Sequence, residues 1–297
     1  MGELALMRKS TWLSRRSFTG GGASCLFFGN LGASKAAQDN SLRFGLTPVF
    51  LNNDLQLLET LKSYLETATG YSVELVSRRT YQEVTALLIS GQVDGAWICG
   101  YPYIQFKDDL ELLAVPEWNG KQLYQSYLIV GTDRNADDIT DLRNDIHAFS
   151  DPDSNSGFLV TRSLMFEHGF QPETFFRKTL YTYGHRNVIR AVASGLAQSG
   201  SVDGYVWEVM LEMEPELVSR TRILRKSQWL GFPPIATSVK FAGSQKIHLL
   251  QTALIDMANN AQGRQVLELF KLTGFGLPQE ANFDGIAQMV SKLREVL

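Results

Sequence analysis

Between Leu42 and Val239 short β-like runs alternate with stretches of helical periodicity, and no other feature restricts the fold as strongly. Leu42-Arg43-Phe44-Gly45-Leu46 has the apolar content of a buried strand and stops at Thr47-Pro48. Leu55, Leu58, Leu61, Leu65 and Ala68 follow at helical spacing, with Gly70 as the stop. Residues 71–76 have β character, and 80–90 read as a second helix with Val84, Leu87 and Leu88 inward. Val93-Asp94-Gly95-Ala96-Trp97-Ile98 is a third strand, turning through Cys99-Gly100-Tyr101-Pro102-Tyr103 into another helix. Strand-like runs recur at 110–116 and 123–130, and after a polar stretch at 137–144 the rhythm restarts. The second series has strands at 146–149, 178–182, 200–204 and 221–224, with helices at 158–168, 186–194 and 205–213. A strand at 235–239 and helices at 244–259, 262–271 and 283–297 complete the chain.

A β-α-β-α-β order packs as a mostly parallel sheet with helices on both faces. Two such units in series, with a helical tail returning after the second, predict an α/β protein of two lobes joined by more than one crossing. Ligands of open α/β sheets sit beyond the carboxyl ends of the strands. Those ends carry Thr47, Tyr101, the loop around Ser154, Tyr183-Gly184-His185 and Asp203-Gly204-Tyr205. All are polar or aromatic groups beside turns, able to face one cleft between the lobes.

The loop Phe149-Ser150-Asp151-Pro152-Asp153-Ser154-Asn155-Ser156-Gly157 joins a strand to a helix start. Helix N-termini leave backbone N–H groups without intrahelical partners, and here they converge with the side-chain donors of Ser154, Asn155 and Ser156. That combination makes an anion cradle. The simpler alternative is an N-cap, since Ser, Asn and Asp precede helices merely to satisfy those donors.

The loop and its continuation Gly157-Phe158-Leu159-Val160 resemble the Ser-Thr-Ser-Gly loop of the PhnD-like periplasmic proteins, which bind phosphate, phosphite or phosphonate for ABC transporters. Asn155 stands where threonine is common in that family, and Thr161 where proline is frequent. Gly184-His185 followed by Val188-Ile189-Arg190-Ala191-Val192 fits the same family, as do Gly91-Gln92-Val93-Asp94-Gly95-Ala96-Trp97 and Tyr124-Gln125-Ser126-Tyr127. Ser201-Val202-Asp203-Gly204-Tyr205 resembles the strand end that supplies an acidic or amide side chain. Gly195-Leu196-Ala197-Gln198-Ser199 departs from the pattern, since the family commonly has Gly-x-x-Asp-Ala there.

The resemblance implies a type II periplasmic binding fold, with lobe one from 37–131 plus 235–297 and lobe two from 132–234. It implies hinge closure on a tetrahedral oxyanion and a partner that is either an ABC permease or a membrane sensor kinase. Ligand contacts then fall to Tyr101, Tyr124, Ser154, Asn155, Ser156, His185, Asp203 and Tyr205. An acid in an anion site has a use if the oxyanion is partly protonated, because its O–H group needs an acceptor; capping of the following helix is the alternative for Asp203. Some family members are arsenite sensors, and Cys99 is a possible soft-ligand contact for such a role. A small buried side chain is the simpler reading of that cysteine. Asp94 is read as structural, Tyr103 as core packing, and Trp118 and Trp229 as core or rim.

The amino terminus points to export. Ser14-Arg15-Arg16-Ser17-Phe18 resembles a twin-arginine motif, followed by the glycine-rich stretch 19–32 and small residues near Ser34-Lys35-Ala36. Residues 1–36 are therefore assigned to a signal peptide and the mature chain to the periplasm. Removing them takes away Arg8, Lys9, Arg15, Arg16, Lys35 and Glu3. That leaves 23 basic and 30 acidic residues of the original 28 and 31, a net charge of −7. With no basic stripe, nucleic acid is excluded as a partner. Only Cys99 survives cleavage, so no intrachain disulfide is available and a monomer must be stabilised by its core.

Enzyme chemistry finds little to work with. The chain has four histidines, no Gly-x-Ser-x-Gly elbow, no metal-spaced His/Cys cluster and no phosphate-binding Walker loop. No cofactor or metal is expected. A secreted hydrolase using Ser154 with His185 and Asp203 is the remaining enzymatic alternative.

Overall fold

The computed structural model describes residues 40–48 and 55–294, so the export motif and the signal segment lie outside the described residues. The first apolar run forms β1 (Ser41–Leu46), with Leu42 and Phe44 fully buried. It leads into α1 (Leu55–Thr69), β2 (Ser72–Ser77), α2 (Tyr81–Ser90), β3 (Gly95–Trp97), α3 (Gly100–Gln105) and β4 (Leu110–Glu117). The middle of the chain contains β5 (Leu123–Tyr124), β6 (Ser126–Gly131), β7 (Ile146–Phe149), α4 (Val160–Glu167), α5 (Pro172–Phe175) and β8 (Lys178–Tyr181). Then come α6 (His185–Ala193), β9 (Ser199–Asp203), α7 (Gly204–Met213), α8 (Pro215–Val218) and β10 (Thr221–Lys226). The return carries β11 (Leu230–Gly231), β12 (Ile235–Ser238), α9 (Gln245–Ile255), α10 (Ala261–Phe270), β13 (Gly274–Gly276) and α11 (Asp284–Arg294).

Six strands form one sheet in the order β13-β4-β12-β3-β1-β2, and five form another in the order β10-β6-β9-β7-β8. The expectation of mostly parallel sheets is corrected. β1 pairs parallel with β2 and β3, and β7 with β8 and β9, but every other pairing is antiparallel. The cause is topological. β6 enters the second sheet from the crossing and so runs against β9, while β12 returns to insert between β3 and β4.

The run 123–130 is two strands, not one. β5 pairs with β11, Tyr124 opposite Leu230, while β6 joins the second sheet. Residues 126–131 pair with β9 and β10, so the chain passes into the five-stranded sheet at about Gln125. The two crossings are tied side by side, Ser126 N–H donating to Ser227 Oγ at 2.9 Å and Ser227 N–H to the Ser126 carbonyl at 2.9 Å.

Helix ends follow their local chemistry. Thr80 and Glu83 form a capping box that starts α2, each side chain accepting the other's backbone N–H. The run 244–259 is α9 continued by a 3₁₀ turn, Asp256–Asn259, and 283–297 begins in a 3₁₀ turn, Glu280–Phe283, before α11. Asp94 is structural as expected: it accepts from Arg43 N–H at 2.7 Å and Lys246 Nζ at 3.1 Å, tying β1 to α9. Tyr103 packs edge-on against Phe283.

Candidate functional site

The strand β7 ends at Phe149, and the next eight residues fold back on themselves. Asp151 Oδ1 accepts the Asp153 N–H at 2.8 Å, and the Ser154 N–H donates to the Asp151 carbonyl at 3.0 Å. Ser150 N–H reaches the Gly157 carbonyl at 3.2 Å, closing the loop. Ser154 Oγ accepts the Gly157 N–H at 2.9 Å and caps a wide π-helical turn, Asn155–Leu159, that runs into α4. The capping role considered for this loop is thus real for Ser154, and the Ser154 hydroxyl proton is left over from it. Gly157 is required by proximity: a Cβ there would stand 1.8 Å from Ser150 Oγ and 3.0 Å from His185 Cε1. From β6, Ser126 Oγ donates to the Ser156 carbonyl at 2.6 Å and holds the turn against the sheet.

Two neighbouring strand ends of the same sheet supply His185 and Asp203, both almost fully buried. The Asp203 N–H donates to His185 Nδ1 at 3.1 Å. That bond makes Nδ1 the acceptor, and burial pushes the imidazole down to about 3, so the ring is neutral with its proton on Nε2. Nε2 lies 3.2 Å from Tyr81 Oη, which therefore accepts from it and keeps its own proton for another partner. Asp203 Oδ1 accepts the N–H groups of Tyr205 and Val206 at 2.8 and 3.3 Å, capping α7. Burial nevertheless outweighs those two bonds and raises the carboxyl to about 7.

The starts of α2 and α3 and the separate β5–β11 pair face this arrangement with phenols and a sulfur. Tyr81 opens α2, and its N–H donates across the site to Asp151 Oδ2 at 3.2 Å. Cys99, at the start of α3, accepts the Asn155 N–H on Sγ at 3.2 Å. Burial pushes its thiol up to about 12, so it is protonated. Tyr124 on β5 accepts from Asn155 Nδ2 at 2.8 Å; burial raises its phenol far above the ordinary range, with hydrogen bonds from Ser156 and Asn155 opposing.

Tyr124, Ser154, Asn155, Ser156, His185 and Asp203 thus meet in one enclosed shell, with Cys99 in its wall. Tyr101 and Tyr205 do not join them. Tyr101 is half-buried, and the charges that act on its hydroxyl are those of Asp153, Arg162 and Arg294. Tyr205 turns its hydroxyl to the Phe270 carbonyl and packs its ring on Trp118 and Phe232. Sequence reasoning missed Tyr81, Ser150 and Asp151 as members. The helix start at Thr80-Tyr81 was legible as a capping box, but nothing local says that it opposes the loop. Three buried side-chain atoms of the shell lack a hydrogen-bond partner among the described residues: Ser150 Oγ, Asn155 Oδ1 and Asp203 Oδ2. Turning the Asn155 amide by 180° would keep its bond to Tyr124 and put a donor in place of Oδ1.

A Ser-His-Asp relay is not formed. Both His185 nitrogens are taken up by Tyr81 and the Asp203 backbone, and Ser154 Oγ is engaged with Gly157. A separate cavity of about 300 Å³ lies between α4 and α11, lined by Thr161, Arg225, Met289 and Lys292. It adjoins the shell through Ser126, bonded to the Ser156 carbonyl, and Val160, whose N–H donates to the Asn155 carbonyl.

Two mixed sheets joined by paired crossings, with a polar shell at the facing strand ends, define a periplasmic binding protein of type II fold. Residues 44–283 match the family of periplasmic substrate-binding proteins of phosphonate ABC transporters, and the chain belongs to that family. The family is one of binding proteins, not of enzymes. Among solved structures, the fold is similar to that of PhnD1 from Prochlorococcus marinus in complex with methylphosphonate. The TM-score is 0.77 at 17% identity, covering 87% of this chain and 100% of that one. A binding-protein component of an ABC phosphonate transporter from Pseudomonas aeruginosa gives 0.77 at 20% identity, covering 84% and 85%. A Xanthomonas citri protein bound to chloride gives 0.71 at 16% identity, covering 87% and 100%. At these identities the likeness establishes the fold.

Proposed function

We propose that this protein binds a small phosphorus oxyanion (phosphate, phosphite or phosphonate) between two lobes built on the two sheets, and delivers it to an ABC permease. The β5–β11 pair and the bonded segments 125–127 and 226–228 serve as the hinge. One observation carries the reading: hydroxyl groups of Ser150, Ser154, Tyr81 and Tyr124 converge with the Ser154–Ser156 turn in a buried shell that retains polar atoms without partners. Such atoms are costly unless a ligand engages them.

A ligand that binds only the native state raises the melting temperature by an amount set by RT ln(1 + [L]/Kd). Thermal unfolding with phosphate, phosphite and methylphosphonate is therefore the direct test. Stabilisation by at least one of them at low concentration is expected, and none by any of the three would overturn the receptor reading. Export is proposed to use Arg15-Arg16; normal processing of a precursor with both changed to lysine would exclude the twin-arginine route.

A second reading, an arsenite sensor that presents its bound form to a membrane kinase, has one observation in its favour: Cys99 Sγ lies in the shell wall. The thiol is protonated and already bonded to the Asn155 N–H, which favours the packing role. Arsenite included in the same unfolding series decides between them.

A further inference from the structure

None of the polar groups gathered in the oxyanion shell lines the cavity of about 300 Å³ between α4 and α11. Its walls come from both halves of the molecule. Leu128 of β6, Leu164 of α4 and Arg225 of β10 line it from the side of the five-stranded sheet. Met289 and Lys292 line it from α11, which packs against α3. The crossing at residues 227–228 closes it between them. Gly285, at the start of α11, permits that approach, since a Cβ there would lie 3.0 Å from Leu230 Cδ2 and 3.1 Å from Gln228 Nε2.

Three charged side chains reach this cavity, and one of them is in excess. Lys292 Nζ and Glu167 Oε1 lie 3.4 Å apart, joining α11 to α4 and neutralising each other. The Arg225 guanidinium has no hydrogen-bond, ion-pair or ring partner among the described residues. Leu128, Leu164 and Met289 add apolar wall to that single uncompensated charge. A carboxylate accepts two parallel N–H bonds from a guanidinium, and an apolar chain attached to it would cover the leucines and the methionine. An inorganic oxyanion leaves those walls bare, and a cation meets Arg225 directly.

We propose that this cavity is a second binding site, for a small carboxylate with an apolar body, and that filling it strengthens oxyanion binding in the neighbouring shell. The site stands on the cavity itself, whereas the coupling rests on the receptor reading above. Two lining residues reach the cradle: Ser126 Oγ donates to the Ser156 carbonyl at 2.6 Å, and the Val160 N–H to the Asn155 carbonyl. The two halves are bonded across the shell, Tyr81 N–H to Asp151 Oδ2 and Asn155 N–H to Cys99 Sγ, each at 3.2 Å. A ligand that touches α4 and α11 as they stand favours this arrangement over one with the halves apart. Such coupling is reciprocal.

The probe is hexanoate, with hexylammonium as the charge-reversed control, titrated calorimetrically into the mature protein in phosphate-free buffer. Hexanoate is expected to bind with a Kd of about 1 mM or below, and hexylammonium not to bind. Arg225→Gln changes an exposed side chain outside the shell. It should weaken hexanoate binding about tenfold or more and leave the affinity for methylphosphonate alone unchanged. With hexanoate near saturation, methylphosphonate should bind the wild type about fivefold or more tightly, a gain that shrinks in Arg225→Gln.

Absence of hexanoate binding, equal binding of hexylammonium, or hexanoate binding untouched by Arg225→Gln overturns the site. Hexanoate that weakens methylphosphonate binding is a competitor and overturns the whole proposal. Methylphosphonate affinity indifferent to bound hexanoate overturns the coupling. A wild type that binds hexanoate through Arg225 but none of methylphosphonate, phosphite and phosphate upholds the second site and overturns the receptor reading, so the two failures are told apart.

Discussion

The two sheets bury different chemistry. In the first, β1 and β3 set Leu42, Phe44 and Trp97 into an apolar core, Trp97 lying 5.1 Å from Phe270 and 5.5 Å from Phe275 by ring centroid. In the second, His147 stacks on Phe176 and bridges Ser199 Oγ at 2.9 Å and Ser201 Oγ at 2.8 Å. Ser201 is bonded in turn to Thr161 in the first turn of α4, at 2.6 Å. This buried chain ties α4, and with it the turn that opens it, to β7 and β9. The second half has an apolar core of its own, with Leu142, Phe149 and Phe175, but adds to it this buried side-chain chain beside the Ser154 turn, and hydrogen bonds specify orientation as well as distance. Damage to the first half should therefore appear in stability, and damage to the second in affinity.

The largest expected effect is in affinity. On the proposed binding mode, Ser154→Ala with Ser156→Ala removes two charge-assisted hydrogen bonds to the oxyanion, each worth about 1.5–3 kcal/mol, so binding weakens by about 3–6 kcal/mol if the two act independently. Non-additivity could halve that figure. Loss of the Ser154 cap costs only about 0.5–2 kcal/mol of folding stability. Titration beside an unfolding curve separates these quantities, and wild-type affinity in a destabilised protein would break the comparison.

The converse test is Phe44→Ala. It should cost about 3–5 kcal/mol of stability and leave ligand affinity unchanged when measured well below the lowered melting temperature. A selective loss of affinity would show that packing in the first sheet also sets the site.

A smaller effect is expected with pH. Burial holds His147 at about 3, below its value in the unfolded chain. The unfolded state therefore binds the extra proton, and stability falls as pH drops from about 6.5 towards 3. His185 acts in the same direction. Asp203 acts oppositely: its raised carboxyl makes stability fall as pH rises from about 4 to 7. Melting temperatures of wild type and His147→Asn across this range should show a shallower acid limb in the variant; parallel limbs would remove His147 from the account.

The smallest change is expected from Cys99→Ser, which retains an acceptor for the Asn155 N–H. Stability should drop modestly, with oxyanion affinity nearly intact. A large loss of arsenite affinity with the fold preserved would move the sensor reading to first place.

Much of the fold was legible because its signals are local. The strand at 146–149 was read with its observed limits, and α6, α7, α9 and α10 lie within a few residues of the runs that announced them. The four-residue helices α5 and α8 and the short strands β11 and β13 had no signal, since so few residues cannot display a period. The Ser154-Asn155-Ser156-Gly157 turn was legible for the same local reason, its hydroxyl and amide side chains bonding to backbone a few residues away.

What only the tertiary structure decided involves partners far apart in the chain. Tyr81 meets His185 across 104 residues, and Asn155 meets Cys99 across 56. The hydroxyl of Tyr205 goes to Phe270 rather than to the shell. The insertion of β12 between β3 and β4 reversed the expected strand direction. Periodicity and turn chemistry are properties of a few consecutive residues, so the sequence by itself determines which segments are strands, helices and caps. Which face of one segment opposes which end of another depends on how two sheets of different interior chemistry pack together, and no local pattern contains that.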